Sequence, residues 1–507
     1  MCDARNNFNA SRGFRGVLLC ALLILQLIVT GCGPPDMRLS FPASPMRQDH
    51  GITWYAATGD GKPSFGTSLD TIGRLDSLYY SDHEDAKPDR IYRLSDYADA
   101  DVPHVLILLD SIPYQSVVDF YRAGHLRFMC PPAKVIAPFP SLTEVCFTDV
   151  LHAPPLPGMI DQSYDPRTNQ VRDAFWDRVH GYQEPWQRRL DYHSEFWEDG
   201  MSYLQPRRWY AAELERARRV SERSPHRVTI VYIDSASSMV CKYGRRGVNE
   251  ALEQAEQLCL QILYERHGAV KLSLMADHGH NLMHSVNVPV DDFLTKAGLH
   301  PTDSIHRPDD VVVELNGLVT YAAVQTSQPA RVADALLAHS PIQLAMYLDG
   351  DRVIVRSARA TAAIDCRAGR LRYVPLSGDV LDYRPVMKSL AAMGESDADG
   401  FASDADWLSA TIDGPWPDAP RRIWDAFHRE ALFPPRVMFT LDDGYCAGLA
   451  AYEKYIDMAS THGGLNQINS ATFVMTMNAT APAKPMRSRD VLRWLEPGFE
   501  PRVNSVP

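Results

Sequence analysis

The chain has 507 residues, 45% of them apolar and 22% charged, with a formal net charge of -12. That length buries one large core or two to three domains. The acidic balance argues against duplex nucleic acid as a partner, because binding a phosphate backbone needs a basic surface.

Residues 1–31 read as a secretory leader. Arg5, Arg12 and Arg15 form a basic start, and residues 17–29 are apolar apart from Gln26. The run is too short to span a bilayer comfortably, and it ends in small residues. Val29-Thr30-Gly31-Cys32 resembles the lipobox of bacterial lipoproteins. That resemblance implies a lipid on Cys32, which anchors the mature chain to a membrane of the cell envelope on its periplasmic or extracellular side. An uncleaved signal anchor is the alternative. Six further cysteines stand at 130, 146, 241, 259, 366 and 446. Such a compartment permits disulfides, but the spacing contains no CxxC pair and fixes no connectivity.

Residues 32–66, rich in Pro, Gly and Ser, read as a tether, and the polar stretch 67–101 as a covering layer or loop. From Val105 the pattern changes. Segments 105–109, 228–233 and 270–275 are short apolar runs that each end in a polar turn, as buried parallel strands do. Amphipathic stretches such as 247–267 lie between them. The expected fold class is α/β, an α/β/α sandwich with a mostly parallel central sheet. Its first part covers 67–307, with an insertion at 165–226 that holds Trp176, Trp186, Trp197 and Trp209 and ends in a charged helix over 211–223. Those tryptophans, with Arg207 and Arg208, either line a pocket or form the insertion's own core. A small α+β subdomain follows over 308–385, with hairpin turns at Asp349-Gly350-Asp351 and Arg367-Ala368-Gly369. Residues 386–507 return to the core, with a strand over 471–477.

Five segments carry chemistry: VLILLDSIPY (105–114), PFPSLTEVCFT (138–148), VYIDSASSMVCKYG (231–244), LSLMADHGHN (272–281) and STHGGL (460–465). Asp110 ends an apolar strand, where functional groups gather in open α/β sheets and a carboxylate can bind a cation; alone it also reads as a turn residue. Thr143 precedes a helix-like run, where positive potential favours an alkoxide and a bound anion. A plain N-cap is the other reading, and Ser141 is the rival nucleophile. Asp277-His278-Gly279 follows a strand, so carboxylate and imidazole can face one metal if the glycine lets the chain turn. His462 sits in a second glycine-rich turn.

Together, in this order, the segments resemble the alkaline phosphatase superfamily, nearest its nucleotide pyrophosphatase/phosphodiesterase branch. The likeness covers about residues 103–165, 228–290 and 458–478. It implies two adjacent divalent metals, usually zinc, and hydrolysis of a small phosphate mono- or diester through a covalent intermediate on Thr143. One metal would take Asp110, Thr143, Asp277 and His278. Gln162 would hold a phosphate oxygen. The second metal would take His462 and two residues of the loop 234–241, where Ser237 replaces an Asp and Cys241 replaces a His. Cys241 can still ligate zinc, whereas Ser237 is a poor ligand. Asp234 is the candidate to complete that site if the loop is rearranged; if instead the loop is misaligned and the true ligands lie elsewhere, His280 and His284 are the candidates. If Cys241 lies beside Cys146, three residues past Thr143 on the same helical face, the two can form a disulfide; a core role for Cys146 is the alternative. The alternative function is a pseudoenzyme that binds a phosphorylated or sulfated ligand without turnover.

Overall fold

The computed structural model describes residues 37–504, apart from 43, 59, 98–100, 161, 174–176, 179, 316, 450–452, 454–457 and 478. The leader, Cys32 and Trp176 lie outside the described residues. Among the described residues no helix is long and apolar enough to cross a membrane.

Six strands form the central sheet: β1 (His104–Leu109), β2 (Ala133–Ile136), β3 (Val228–Ile233), β4 (Lys271–Ala276), β5 (Ala471–Thr476) and β6 (Met486–Arg487). Their order is β3-β1-β4-β5-β2-β6. β3 and β4 run parallel to β1, β6 runs parallel to β2, and β5 is antiparallel to both of its neighbours. Both faces are covered. Val105, Ile107, Leu109, Val231 and Ile233 pack into one apolar core, while Leu106, Leu108, Ile230 and Tyr232 pack into another on the opposite side. This alternation follows from the two-residue period of a strand. It explains why these segments read as continuous apolar runs.

A second, eight-stranded sheet is antiparallel except at one edge. It uses more of the chain than the expected subdomain 308–385. It starts at His300–Pro301, and Val437–Leu441 inserts between Tyr321–Gln325 and Ile342–Asp349. Val437–Leu441 is too short an apolar run to announce its partner from sequence. The two hairpin turns fall where they are expected.

The tether reading of 32–66 gives way in the structure. Arg47–Asp49, Ile52–Tyr55 and Phe65–Leu69 are the first three strands of a five-stranded antiparallel sheet. Phe65 and Tyr80 of that sheet pack against Tyr264 at ring separations of 5.3 and 5.5 Å. Its strands are short and only partly buried, which left a weak apolar alternation.

Helix α1 (Thr143–Val150) lies between the two major layers. Leu142 and Val145 join the core of the second sheet, and Phe147 and Val150 join that of the central sheet. A largely buried ionic network fixes its far end. Ser488 donates to Asp149 Oδ2 at 2.6 Å, and Arg489 approaches Asp149 at 3.3 Å. Next to it, Arg487 donates to the fully buried Asp418 and to Asp404. Replacing Arg487 by Met leaves Asp418 as an unpaired buried charge, and breaking such a pair costs about 3–5 kcal/mol. The expected outcome is a clearly lowered urea midpoint in equilibrium unfolding.

Candidate metal centre

Asp110 follows the last residue of β1, and Asp277-His278 follows β4, the strand beside it. Parallel pairing brings both strand ends to the same edge of the sheet. Asp110, Asp277 and His278 are 3%, 0% and 0% exposed, and their ligand atoms lie within 4.8 Å of one another. His278 Nε2 is 3.3 Å from Asp277 Oδ2 and 3.9 Å from Asp110 Oδ1. Thr143, the first residue of α1, is half-buried. Its Oγ1 is 3.4 Å from Asp110 Oδ2 and 3.5 Å from His278 Nε2.

Local backbone shapes this cluster. Ser111 adopts φ +64°, and its N–H donates to Asp277 Oδ1 at 3.0 Å. A non-glycine residue in the left-handed region is held there by its surroundings. The N–H of His278 donates to the same oxygen at 2.8 Å. The glycine of the DHG element has a packing reason: a Cβ on Gly279 would sit 2.0 Å from the carbonyl oxygen of Ile468. Tyr232, at the end of β3, donates its hydroxyl to Asp110 Oδ2 at 2.6 Å. Nothing in the sequence pattern marked this tyrosine, because it reads as one apolar residue of a buried strand.

Two imidazoles have defined tautomers. His278 Nδ1 lies 2.9 Å from the carbonyl of Gly279, and His462 Nδ1 lies 3.1 Å from that of Ser141. A carbonyl only accepts, so each Nδ1 carries the proton and each Nε2 presents a lone pair. Their rings stack at 4.2 Å. Holding the outer nitrogen in this way is how metal-ligating histidines are oriented.

The electrostatics favour a cation. Burial drives Asp110 well above the ordinary carboxylate range, with further contributions from Asp277 and Asp234. Burial pushes Asp277 up to about 6. His278 falls to about 4, also through burial, so it is neutral and offers no compensating charge. Asp277 Oδ2 is buried without a hydrogen-bond partner. Among the described residues no Lys or Arg pairs with either carboxylate. Two carboxylates, an imidazole lone pair and a hydroxyl form a donor set that suits zinc or another divalent ion.

The other expected ligands are arranged differently. The stretch read as a loop, 234–241, is mostly helix α2 (Ser235–Tyr243). Ser237 and Cys241, four residues apart, therefore share one helical face, with Oγ and Sγ 3.9 Å apart. His280 joins them, its Nε2 3.5 Å from Cys241 Sγ. His284 is exposed. Asp234 is engaged elsewhere, with Oδ1 3.1 Å from the Tyr232 hydroxyl oxygen and Oδ2 accepting from Ser194 at 3.0 Å. Cys146 and Cys241 are free and buried. Gln162 opens a hairpin strand and pairs in register with Asp173; among the described residues no hydrogen bond joins its side chain to Thr143 or the carboxylates.

Ser141 is fully buried and its hydroxyl is engaged by neighbours. Its hydroxyl lies 3.2 Å from the carbonyls of Pro138 and Gly464 and accepts from Arg422 at 3.1 Å. The buried Arg422 also donates to the carbonyls of Leu465 and Pro138, tying the Thr143 loop to the His462 loop. The second sheet holds the latter loop too. The Thr320 N–H and hydroxyl both donate to the carbonyl of His462, at 2.7 and 2.8 Å. The described tryptophans of the insertion divide between two places. Trp186 packs on Phe147 and Tyr232 of the main core, Trp197 and Trp209 meet edge to face, and Arg207 is bound by Glu250.

No protein-family model and no curated protein matches the chain. Among solved structures it is similar to phosphonoacetate hydrolase from Sinorhizobium meliloti 1021 in complex with phosphonoacetate, at 11% identity and a TM-score of 0.40, over 80% of this chain and 96% of that one. It is also similar to human ectonucleotide pyrophosphatase/phosphodiesterase 5, at 11% identity and a TM-score of 0.42, over 78% and 93% of the two chains. The murine form of that protein gives 10% identity and a TM-score of 0.41, over 80% and 97%.

The raised Asp277 acidity makes a signed prediction for the metal-free protein. Its folded value of about 6 exceeds the unfolded value of about 3.9. Its stabilising contribution is therefore full below about pH 4 and is lost as pH rises through about 6. Asparagine cannot ionise. In chelator, Asp277→Asn is expected to gain stability over the native chain progressively from about pH 4 to 7, as read by urea unfolding at several pH values.

Proposed function

We propose that the chain is a metal-dependent hydrolase of phosphate mono- or diesters, of the alkaline phosphatase superfamily, with Thr143 as nucleophile. The observation that carries this reading is the convergence of the half-buried Thr143 hydroxyl on two buried, uncompensated carboxylates and an imidazole lone pair. Asp110, Asp277, His278 and Thr143 would hold the cation, zinc by resemblance. When bound, it offsets the carboxylate charge and lowers the cost of a threonine alkoxide.

The residues of the chain supply the rest. Thr143 begins an eight-residue helix, so its oxygen lies in the positive end of the helix dipole. The nearest acceptor for its proton is Asp110 Oδ2, at 3.4 Å, because the His278 Nε2 lone pair would be committed to the cation. Attack forms the Thr143 Oγ1–phosphorus bond and breaks the ester P–O bond, and the alcohol departs with a proton. Water then cleaves the phosphothreonine, returning the hydroxyl and releasing the phosphate. Arg422 positions the loop that presents Thr143 and does not touch the reacting atoms. The resemblance adds Gln162 as an amide donor to a phosphate oxygen.

The test is hydrolysis of aryl phosphate mono- and diesters with added zinc or manganese. Thr143→Ala is expected to lose at least about 10³-fold in kcat while keeping its bound metal, by the size of losses seen when a nucleophile is removed. A phosphate on the Thr143 peptide should be found by mass spectrometry after acid quench. Bound metal without turnover in the native protein would replace this reading with that of a ligand-binding pseudoenzyme.

We also infer tethering to the cell envelope through lipid on Cys32, on the strength of Val29-Thr30-Gly31-Cys32 after an apolar run. Detergent phase partition is the check. The native protein should enter the detergent phase and Cys32→Ala the aqueous phase.

A further inference from the structure

Ser237 and Cys241 stand where the resemblance places ligands of a second cation, and the structure gives that side a different chemistry. The Tyr203 hydroxyl and Ser111 Oγ approach Ser237 Oγ at 3.4 and 3.5 Å. Ser237 Oγ is 3.9 Å from Cys241 Sγ, which is 3.5 Å from His280 Nε2. His280 Nδ1 is bonded to the Ser460 hydroxyl, which also accepts the Leu282 N–H at 2.9 Å. Ser460 Oγ lies 3.5 Å from Asn281 Oδ1, which receives the Thr461 N–H at 2.9 Å. The chain is continuous, and its members are neutral groups that engage one another.

This arrangement does not fit a cation. Asp234 is turned to Tyr232 and Ser194, and the one carboxylate that reaches this side, Asp110, does so through the Ser111 hydroxyl and belongs to the first cluster. Among the described residues the one group of three or more His, Cys, Asp or Glu side chains with ligand spacing is Asp110, Asp277 and His278. Of the residues expected at the second position, His462 alone retains both its type and a bare Nε2 lone pair.

We propose that this protein holds a single divalent cation, on Asp110, Asp277, His278 and Thr143, and that the neutral chain Tyr203–Ser237–Cys241–His280–Ser460 replaces the second. The proposal rests on the metal-dependent reading above; it assigns a role to Tyr203, which lies outside the five segments, and makes His280 a hydrogen-bonding partner where the sequence reading offers it as a metal ligand. Stabilisation on that side comes from hydroxyl donors fixed in place before any ligand arrives, which is a form of electrostatic preorganisation.

The experiment counts metal, independently of turnover. The full-length protein in detergent is equilibrated with zinc, dialysed, and measured by elemental analysis and native mass spectrometry. One zinc per chain is expected, lost in Asp277→Asn and retained in Cys241→Ala. The double variant Ser237→Asp/Cys241→His should take up a second. Cobalt substitution gives another readout: no thiolate-to-cobalt charge-transfer band should appear. Two zincs in the native protein, falling to one in Cys241→Ala, or a cobalt–thiolate band that Cys241→Ala abolishes, would overturn the proposal. No zinc at all would instead overturn the reading of the Asp110–Asp277–His278 centre, and the proposal with it.

Discussion

Two carboxylates, Asp110 and Asp277, are buried side by side at the end of the central sheet with no Lys or Arg paired to them among the described residues. Isolated buried charge is costly unless it is paired, coordinated to a metal or neutralised. The surrounding structure addresses that cost in parts. Backbone N–H groups of Ser111 and His278 satisfy one oxygen of Asp277, and Tyr232 and Ser111 satisfy Asp110. The remaining oxygen of Asp277 has no partner. A divalent cation bound there would balance the two charges and meet that oxygen at once.

The rest of the fold brings a hydroxyl and two imidazoles to this point and keeps them there. Helix α1 is packed from both sides, by the central sheet and by the second sheet, so Thr143 has little freedom to move away. Arg422 joins the Thr143 loop to the His462 loop through carbonyl oxygens and the Ser141 hydroxyl. Thr320 ties the His462 loop to the second sheet. The second sheet carries no reacting residue of its own, yet the site depends on it. Precise placement of this kind is what turns a set of ligand types into a working centre.

Much of the site was legible because strand ends and glycine turns leave strong marks. Asp110, Thr143, Asp277 and His278 each follow or begin an element whose pattern is clear in the sequence, and the structure brings all four together. What was hidden depends on tertiary placement. Tyr232 reads as a core residue of β3 until its hydroxyl is seen against Asp110. Tyr203 comes from the aromatic insertion, and no local pattern says that it reaches Ser237. The antiparallel β5 and the strand 437–441 in the second sheet are short apolar runs whose partners lie far away in sequence. Of the first three strands after residue 46, two are short and largely exposed or half-buried, and the third, Phe65–Leu69, is mostly buried but carries Gly66, Thr67 and Ser68, so none alternates strongly. Ser237 and Cys241 stand on a helix, where the sequence pattern suggests a loop, because the polar run Ser235-Ala236-Ser237-Ser238 carries little helical signal.

The central claim is that the acidic cluster beside Thr143 is a cation site. Anomalous diffraction at the zinc edge from crystals grown with zinc tests it most directly. The account predicts a peak bounded by Asp110, Asp277, His278 and Thr143 Oγ1. Zinc bound elsewhere on the chain, with no anomalous density in this cluster, would contradict it.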